Sequence, residues 1–561
     1  MKNMESKKPV KKRPIDAVWI VTREYAGLAG AGGVKDVSRQ LAEALVAPGE
    51  IAVTVIMPRY GSMDAKAFGF EIAPVGTWAG EIHEVAYEYG FLVDMNYAYQ
   101  ERRESVVLWQ ATINGVVVYL VEADRFAEKQ GVYTYTELEE KKQAWQRKGE
   151  GHFDYFAMNI LLQKAALDAM ILLNAHPDVI HCQDGHAATL PAMMRENSGY
   201  RHYFRQTGAV VTVHNAGVGY HQEVADLPFA QAVTGLPMRV VKSSLLAGCF
   251  DPFIAAAPYA ALNTVSENYA LELQQTPEDA RTGWLGHALL GQGVTLAGIT
   301  NGIDPHAFDP SHPDLLQLAA GFEVLRGELA GKLSCKEGLL RRLTGGPSWE
   351  RVEQYGVLSF SPREPLCTFI GRLTAQKGVD ILIESITNLL TTDPSCRFLV
   401  FGSGAAVYEE QLKELAQQGH EQVCFLKGFD SLLANTIYAA GDLFLIPSKY
   451  EPCGLTDYMA QLLGNLPVVH HVGGLVKVID GETGFAYQED TAAALTQTIV
   501  RAMAIYRDEP NQFLRMQQAA VRQIHAKHTW KQVKEAYIAL YQQALAMISS
   551  TSWHVNFTGK K

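Results

Sequence analysis

The stretch AVWIVTREYAGLAGAGGVKDVSRQLAEALVAPGEIAVTVIM, residues 17–57, decides the fold. It opens on an apolar run over 17–22 and passes through a loop over 27–33 that contains Gly27, Gly30, Gly32 and Gly33. In the next segment Val37, Leu41, Ala44 and Leu45 recur at helical spacing. Asp36 is placed to cap that helix, and 51–57 is a second β-branched run. Strand, helix and strand in this order make a βαβ unit. Working outward, the apolar runs 106–113 and 116–121 flank Asn114-Gly115, the dipeptide that best tolerates the positive φ angles of a tight hairpin. The parallel sheet therefore carries an antiparallel addition. A helix over 156–173 and short buried strands over 179–181, 209–213 and 261–265 complete a doubly wound α/β domain.

After residue 304 the pattern loses its strands, and the chain to about residue 355 reads as helix and loop with Gly345, Gly346 and Pro347 as breakers. A domain boundary is expected there. Alternation resumes with strands over 367–370, 398–401, 423–426 and 443–446 and helices over 379–389 and from 405, so the second half is also doubly wound. The tail over 512–547 has an amphipathic helical rhythm through Val533, Ala536, Tyr537, Leu540, Tyr541 and Ala544. The expected organisation is a basic flexible start over 1–15, a first Rossmann-like domain with its helical linker over 16–355, a second over 356–528, and a closing helix over 529–550.

Composition agrees with a two-domain globular protein. The chain has 561 residues, too many for one hydrophobic core, with 48% hydrophobic and 19% charged residues, near the globular average. No uncharged apolar stretch of about 18 residues occurs, which argues against a membrane-spanning helix. Forty-nine basic against sixty acidic residues leave a net charge of −11, so general binding to a nucleic-acid backbone is not expected and any anionic ligand needs a local site. The basic opening with Lys2, Lys7, Lys8, Lys11, Lys12 and Arg13 is not followed by the apolar run of a signal peptide. Seven cysteines without a CxxC pair suggest neither a disulfide framework nor a zinc ribbon, and a reducing cytoplasm fits them.

In open α/β sheets ligands sit at the carboxyl ends of strands, where loop amides and helix N-termini favour anions. Two such domains would form a cleft. The loop with Gly30, Gly32 and Gly33 lets backbone N–H groups approach a phosphate, though the same glycines equally make a tight strand-to-helix turn. Arg372 and Lys377 follow the strand over 367–370 and can converge on a diphosphate, although isolated loop cations are usually only solvated. The segment 447–456 also leads from a strand into a helix. It offers Glu451 as an acceptor for sugar hydroxyls and the amides of Gly454 and Leu455 as donors. His181 and His186 lie five apart at the end of a strand, not at the i, i+4 helical spacing of a zinc protease, so no metal site is expected.

Taken together these segments resemble the glycogen and starch synthase family of retaining glycosyltransferases, which share the two-domain GT-B architecture. The resemblance runs from about 17 to 545. It is carried in order by Gly32-Gly33-Val34-Lys35-Asp36-Val37, His181 to His186, Thr212-Val213-His214-Asn215, Thr264-Val265-Ser266, Asn301-Gly302-Ile303-Asp304, the RLTAQKG run from Arg372 to Gly378, the EPCGLT run from Glu451 to Thr456, and Gly473-Gly474-Leu475. It implies transfer of glucose from ADP-glucose or UDP-glucose to the non-reducing end of an α-1,4-glucan, with retention and without a metal or other cofactor. Within it, Arg372 and Lys377 hold the donor diphosphate, and Glu451 with the amides from Cys453 to Leu455 holds glucose. Thr456 helps bind phosphate, His186 lies beside the reacting sugar, and Asn301 matches a further active-site position. Gly32 and Gly33 belong to the donor-binding set. Preorganised donors that meet the charge leaving with a diphosphate are worth about 2.7 to 4 kcal/mol each, and closure would exclude water.

Three departures mark this chain. The family's Lys-x-Gly-Gly has Gly30 at the lysine position, with Lys35 nearby; Asp457 stands where the family has Gln; and Thr-Gly-Gly-Leu-x-Asp becomes Val472-Gly473-Gly474-Leu475-Val476-Lys477. Asp154 is a candidate match to an acceptor-side aspartate with different neighbours. These changes keep open a GT-B transferase with another donor or acceptor, and a non-catalytic glucan-binding homologue. A glycogen phosphorylase fits poorly, because no surroundings of a pyridoxal phosphate lysine are found.

Overall fold

The computed structural model describes residues 13–83, 85–345, 349–393 and 395–550. The basic opening up to Lys12, and the breakers Gly346 and Pro347, lie outside them. The chain divides into two compact units. The first comprises the chain through Val265, Ala270–Ile299 and the chain from Lys534 on; the second comprises Ser266–Tyr269 and Thr300–Val533.

The first unit is built on a ten-stranded sheet of β1 (Ala17–Val21), β2 (Ala52–Pro58), β3 (Glu71–Ile72), β4 (Phe91–Asp94), β5 (Arg103–Ile113), β6 (Val116–Glu122), β7 (Val179–Gln183), β8 (Gly208–Val213), β9 (Ala261–Thr264) and β10 (Ala297–Gly298). Their order is β10-β9-β8-β7-β1-β2-β6-β5-β3, with β4 also on β5. The strands from β10 to β6 pair in parallel, and β5, β3 and β4 are antiparallel. β1 lies between β2 and β7, with Val18 opposite Val53 and Val179. These central strands are near-continuous apolar runs because both faces are covered. The hairpin β5-β6 turns at Asn114 and Gly115, whose φ angles of 49° and 83° are the pair of positive values that a two-residue loop demands.

The helix α1 (Val34–Val46) joins β1 to β2 and closes the βαβ unit. It starts at Val34, two residues before the expected cap. Asp36 lies inside the first turn, where its N–H donates to the Gly33 carbonyl, and its carboxylate pairs with the Lys35 ammonium at 2.6 Å. The helix α2 (Tyr155–Leu172) is long and apolar enough to suggest a membrane crossing by composition, yet it is buried at every residue from Phe156 to Leu167 and is a core helix of this unit.

Among the described residues the second unit has seven strands: β11 (Val352–Tyr355), β12 (Leu366–Ile370), β13 (Arg397–Gly402), β14 (Val423–Gly428), β15 (Leu443–Ile446), β16 (Leu466–His470) and β17 (Phe485–Tyr487). They run in the order β11-β14-β13-β12-β15-β16-β17, all parallel except β11 on β14. The domain boundary expected at 355 falls instead between Ile299 and Thr300. The helix α3 (Ala330–Thr344) packs Leu339, Leu340 and Leu343 against Leu366, Leu399 and Phe401, and β11 extends the same sheet. The buried Lys332 ammonium also ties this helix to the carbonyls of Ala439, Gly441 and Leu463 at 2.6 to 3.0 Å. The closing helix (Trp530–Ser550) belongs to the second unit at its start and to the first from Lys534.

Both sheets reverse direction beside a central strand, between β1 and β7 in the first unit and between β12 and β15 in the second. At such a switch point the loops leaving the two strands diverge and open a crevice.

Candidate active site

In the first unit the switch-point loops carry Glu24, the glycine loop and His186. The amides of Ala31 and Gly32, expected to face a phosphate, donate to Glu24 Oε2 at 2.7 and 3.0 Å. Tyr133 Oη donates to the other carboxylate oxygen. The Tyr133 ring in turn stacks on the His186 imidazole, with centroids 4.8 Å apart and 27° between planes. The Arg23 guanidinium lies 5.4 Å from the same tyrosine ring and is anchored on Tyr60, Asn159 and the Val132 carbonyl. Sequence reasoning missed Glu24 and Tyr133. Glu24 is adjacent to the loop but carries no spacing signal, and Tyr133 reaches it from 109 residues away.

His186 is buried, and burial followed by the charge of Arg23 pushes its pKa well below the ordinary histidine value, so the ring is neutral at pH 7. No described residue hydrogen-bonds that ring. His181, in contrast, is a structural residue: fully buried, it pairs with Tyr541 Oη at 3.0 Å and Thr212 Oγ1 at 2.7 Å. Asp184, between them in sequence, sits at φ +64° with its carboxyl pushed up to about 7 by burial. Asp154 is tied to Arg125 at 2.7 Å and Lys129 at 3.1 Å.

The glycine at 30 has a physical explanation. A Cβ placed there would come within 2.4 Å of Lys35 Cδ, 2.7 Å of Lys35 Cβ and 2.9 Å of Glu24 Oε2. The Lys35 stem thus fills the space of a side chain at 30, and its ammonium ends on Asp36 and the Gly32 carbonyl.

In the second unit Arg372, Lys377, Glu451 and the run from Cys453 to Thr456 all leave the carboxyl ends of β12 and β15. Gly378, at φ +65°, lets the first loop pass against the second, since a Cβ there would lie 1.9 Å from the Pro447 carbonyl oxygen. Lys377 is ion-paired with Glu451 Oε2, which also accepts from Ser448 Oγ at 2.9 Å. Burial opposes charge on Glu451, but Lys377 and Ser448 hold its pKa below the usual carboxylate value. Its Oε1 has no partner among the described residues. Arg372 is exposed and likewise unpaired among them. Asn301 is buried, with its backbone N–H on the Cys453 thiol and its Oδ1 unpartnered. Thr456 begins the helix α4 (Thr456–Leu462).

The two substituted positions of this unit meet each other. Lys477 Nζ lies 3.3 Å from the buried Asp457 carboxylate, donates to the carbonyls of Cys453 and Gly454, and sits 4.4 Å above the Tyr458 ring. Burial, only partly offset by Lys477, pushes Asp457 up to about 6. Gly473 and Gly474 are required by the same packing, because a Cβ on either would strike the Glu451 or Cys453 carbonyl at 2.0 or 2.1 Å.

Residues 17–289 match the starch synthase catalytic domain family, and residues 364–504 match the glycosyl transferases group 1 family. A glycogen synthase of Aeromonas hydrophila is 30% identical over 546 residues, covering 94% of this chain and 98% of that protein. The chain belongs to the glycogen synthase family. A second member, glycogen synthase 2 of Geobacter sulfurreducens, is also 30% identical over 94% of the chain. Among solved structures, the catalytic domain of starch synthase IV from Arabidopsis thaliana, bound to ADP and acarbose, superposes with a TM-score of 0.74 at 24% identity over 95% of this chain. The fold is GT-B, and this glycogen synthase family member is a glycosyltransferase. Its first unit brings His186, Gly32 and Gly33 to one switch point, and its second brings Asn301, Arg372, Lys377, Glu451 and Cys453 to Thr456 to the other.

Proposed function

We propose that this enzyme transfers glucose from ADP-glucose or UDP-glucose to the non-reducing end of an α-1,4-glucan with retention of configuration. The observation that carries this reading is the pairing of Lys377 with Glu451 beside the unpaired Arg372 at one switch point. A sugar diphosphate needs both an anion clamp and a hydroxyl acceptor, and these residues supply them. Glu451 uses Oε2 to hold Lys377 and keeps Oε1 for a sugar hydroxyl. Arg372 offers a bidentate fork, Lys377 a point charge, and Gly454 and Leu455 their amides. As the diphosphate departs, these groups meet its charge in place of a metal ion. The neutral His186 is a hydrogen-bonding partner for the reacting sugar, while Gly32 and Gly33 shape the loop beside it. The binding of ADP and acarbose by the Arabidopsis relative supports the donor and glucan classes. Seven free thiols fit work in the reducing cytoplasm.

A second reading, a transferase with altered donor contacts, is favoured by the glycine-loop amides being held by Glu24. Release of nucleoside diphosphate from ADP-glucose and UDP-glucose, with and without glycogen, separates the two. Glycogen-dependent release from either donor is expected, lowered about a hundredfold or more in Arg372→Ala and in Lys377→Ala and lost in Glu451→Ala. Absence of release from both donors overturns the first reading.

A further inference from the structure

The ammonium of Lys477 is nearly buried, its side chain 8% exposed, and it spends two hydrogen bonds on main-chain carbonyls of the loop that follows β15. A trans peptide unit is planar with its C=O and N–H pointing in opposite directions, and the described chain has no cis peptide bond. Drawing the Cys453 carbonyl onto Lys477 therefore turns the Gly454 N–H the other way. Drawing in the Gly454 carbonyl does the same for the Leu455 N–H. Neither N–H has an acceptor among the described residues. The loop closes this tightly on the cation only because residue 454 is glycine at φ +73°, where a Cβ would lie 2.9 Å from Leu475 and 3.3 Å from Lys477 Nζ. Asp457 sits behind the ammonium and fixes it in place.

We infer that Lys477 is a positioning residue for the donor: by holding two carbonyls back, it aims two consecutive main-chain N–H groups at the diphosphate or sugar of a nucleotide sugar. The inference rests on the donor-binding reading of this unit. Lys477 itself makes no contact with the donor and acts through the peptide planes.

The test uses the full-length enzyme and compares Asp457→Asn with Asp457→Asn/Lys477→Met, so that no buried carboxylate is left without its cation. Calorimetric titration with ADP and with UDP gives Kd, and initial rates give kcat and KM for donor and for glycogen. Relative to Asp457→Asn, the double variant is expected to bind nucleoside diphosphate at least about tenfold more weakly, about 1.4 kcal/mol, with a parallel rise in donor KM and an unchanged glycogen KM. A merely structural role would lower the active fraction and leave both KM values where they were. Kd values within twofold of each other overturn the inference. A readout that needs no variant is hydrogen–deuterium exchange across 453–456 in the wild type. Slower exchange on adding ADP or UDP is expected, and unchanged exchange with nucleotide bound overturns the inference. A wild type that neither binds these nucleotides nor turns over overturns the donor reading and this inference together, whereas normal wild-type binding with an unaffected double variant overturns this inference alone.

Discussion

At position 30 a side chain has no room, because the Lys35 stem and the Glu24 carboxylate already occupy its volume. Gly30→Ala is expected to lower stability by about 1 to 3 kcal/mol, the usual range for overpacking. Removing the obstructing stem with Lys35→Ala is expected to recover part of that loss. Urea unfolding of the four proteins in a double-mutant cycle reads the coupling, and strictly additive effects would sink the explanation. Asp457 yields a prediction of opposite character. Its carboxyl is raised from 3.8 to about 6 in the folded protein. Between these values the folded state retains a proton that the unfolded state has released, so stability from this group is present at low pH and falls as pH rises through the window. Asp457→Asn should therefore raise Tm relative to the wild type above about pH 6, with the gain closing below about pH 4. A gain that is the same at both ends would show that the charge is not its source. The residues seen by spacing, Arg372, Lys377 and Glu451, were legible because they follow apolar strands in recognisable runs. Glu24 and Tyr133 were not, and Lys477 stood out only as a departure from the family motif, since the significance of all three lies in what they touch, and those contacts are not recorded in local pattern.

At the scale of elements, the βαβ start, the Asn114-Gly115 hairpin and most of the parallel strands were readable from alternation and turn chemistry, whereas the parallel strands β10, β16 and β17 were not read. The exceptions have physical causes. β11 reads Val-Glu-Gln-Tyr, a short edge strand half open to solvent, so it lacks the apolar run of a buried strand. α1 begins two residues early because the Gly33 carbonyl already accepts from the N–H groups of Asp36 and Val37, which puts Asp36 inside the first turn. The approach of the loops after β12 and β15 depends on Gly378, whose φ of +65° and 1.9 Å clearance to Pro447 forbid a Cβ. Gly378→Ala is expected to cost about 1 to 3 kcal/mol and to lower turnover more than Tm alone would explain, because Lys377 moves with its neighbour. Normal donor KM in a destabilised Gly378→Ala enzyme would disconnect the loop contact from catalysis.

At the scale of the whole chain, two units are assembled from discontinuous segments, and the C-terminal helix contributes to both. Within the first unit that helix supplies Tyr541, whose hydroxyl pairs with the buried His181. Tyr541→Phe leaves the imidazole nitrogen without a partner and is expected to cost about 1 to 3 kcal/mol by denaturant titration, with the donor KM unchanged. A loss below a few tenths of a kcal/mol would mean that the ring alone anchors the helix. The amino-acid sequence by itself determined that there are two doubly wound α/β domains, which strand ends carry the cations and carboxylate, and which family the motifs resemble. These properties live in periodicity and in short runs, which neighbouring residues express without reference to the rest of the chain. Only the tertiary structure decided that the 300–355 segment packs into the second unit, that Glu24 holds the glycine-loop amides, and that Asp457 and Lys477 form one buried pair. Each of these joins residues or segments through packing and hydrogen bonding in three dimensions, and for such contacts the linear sequence prescribes no partner.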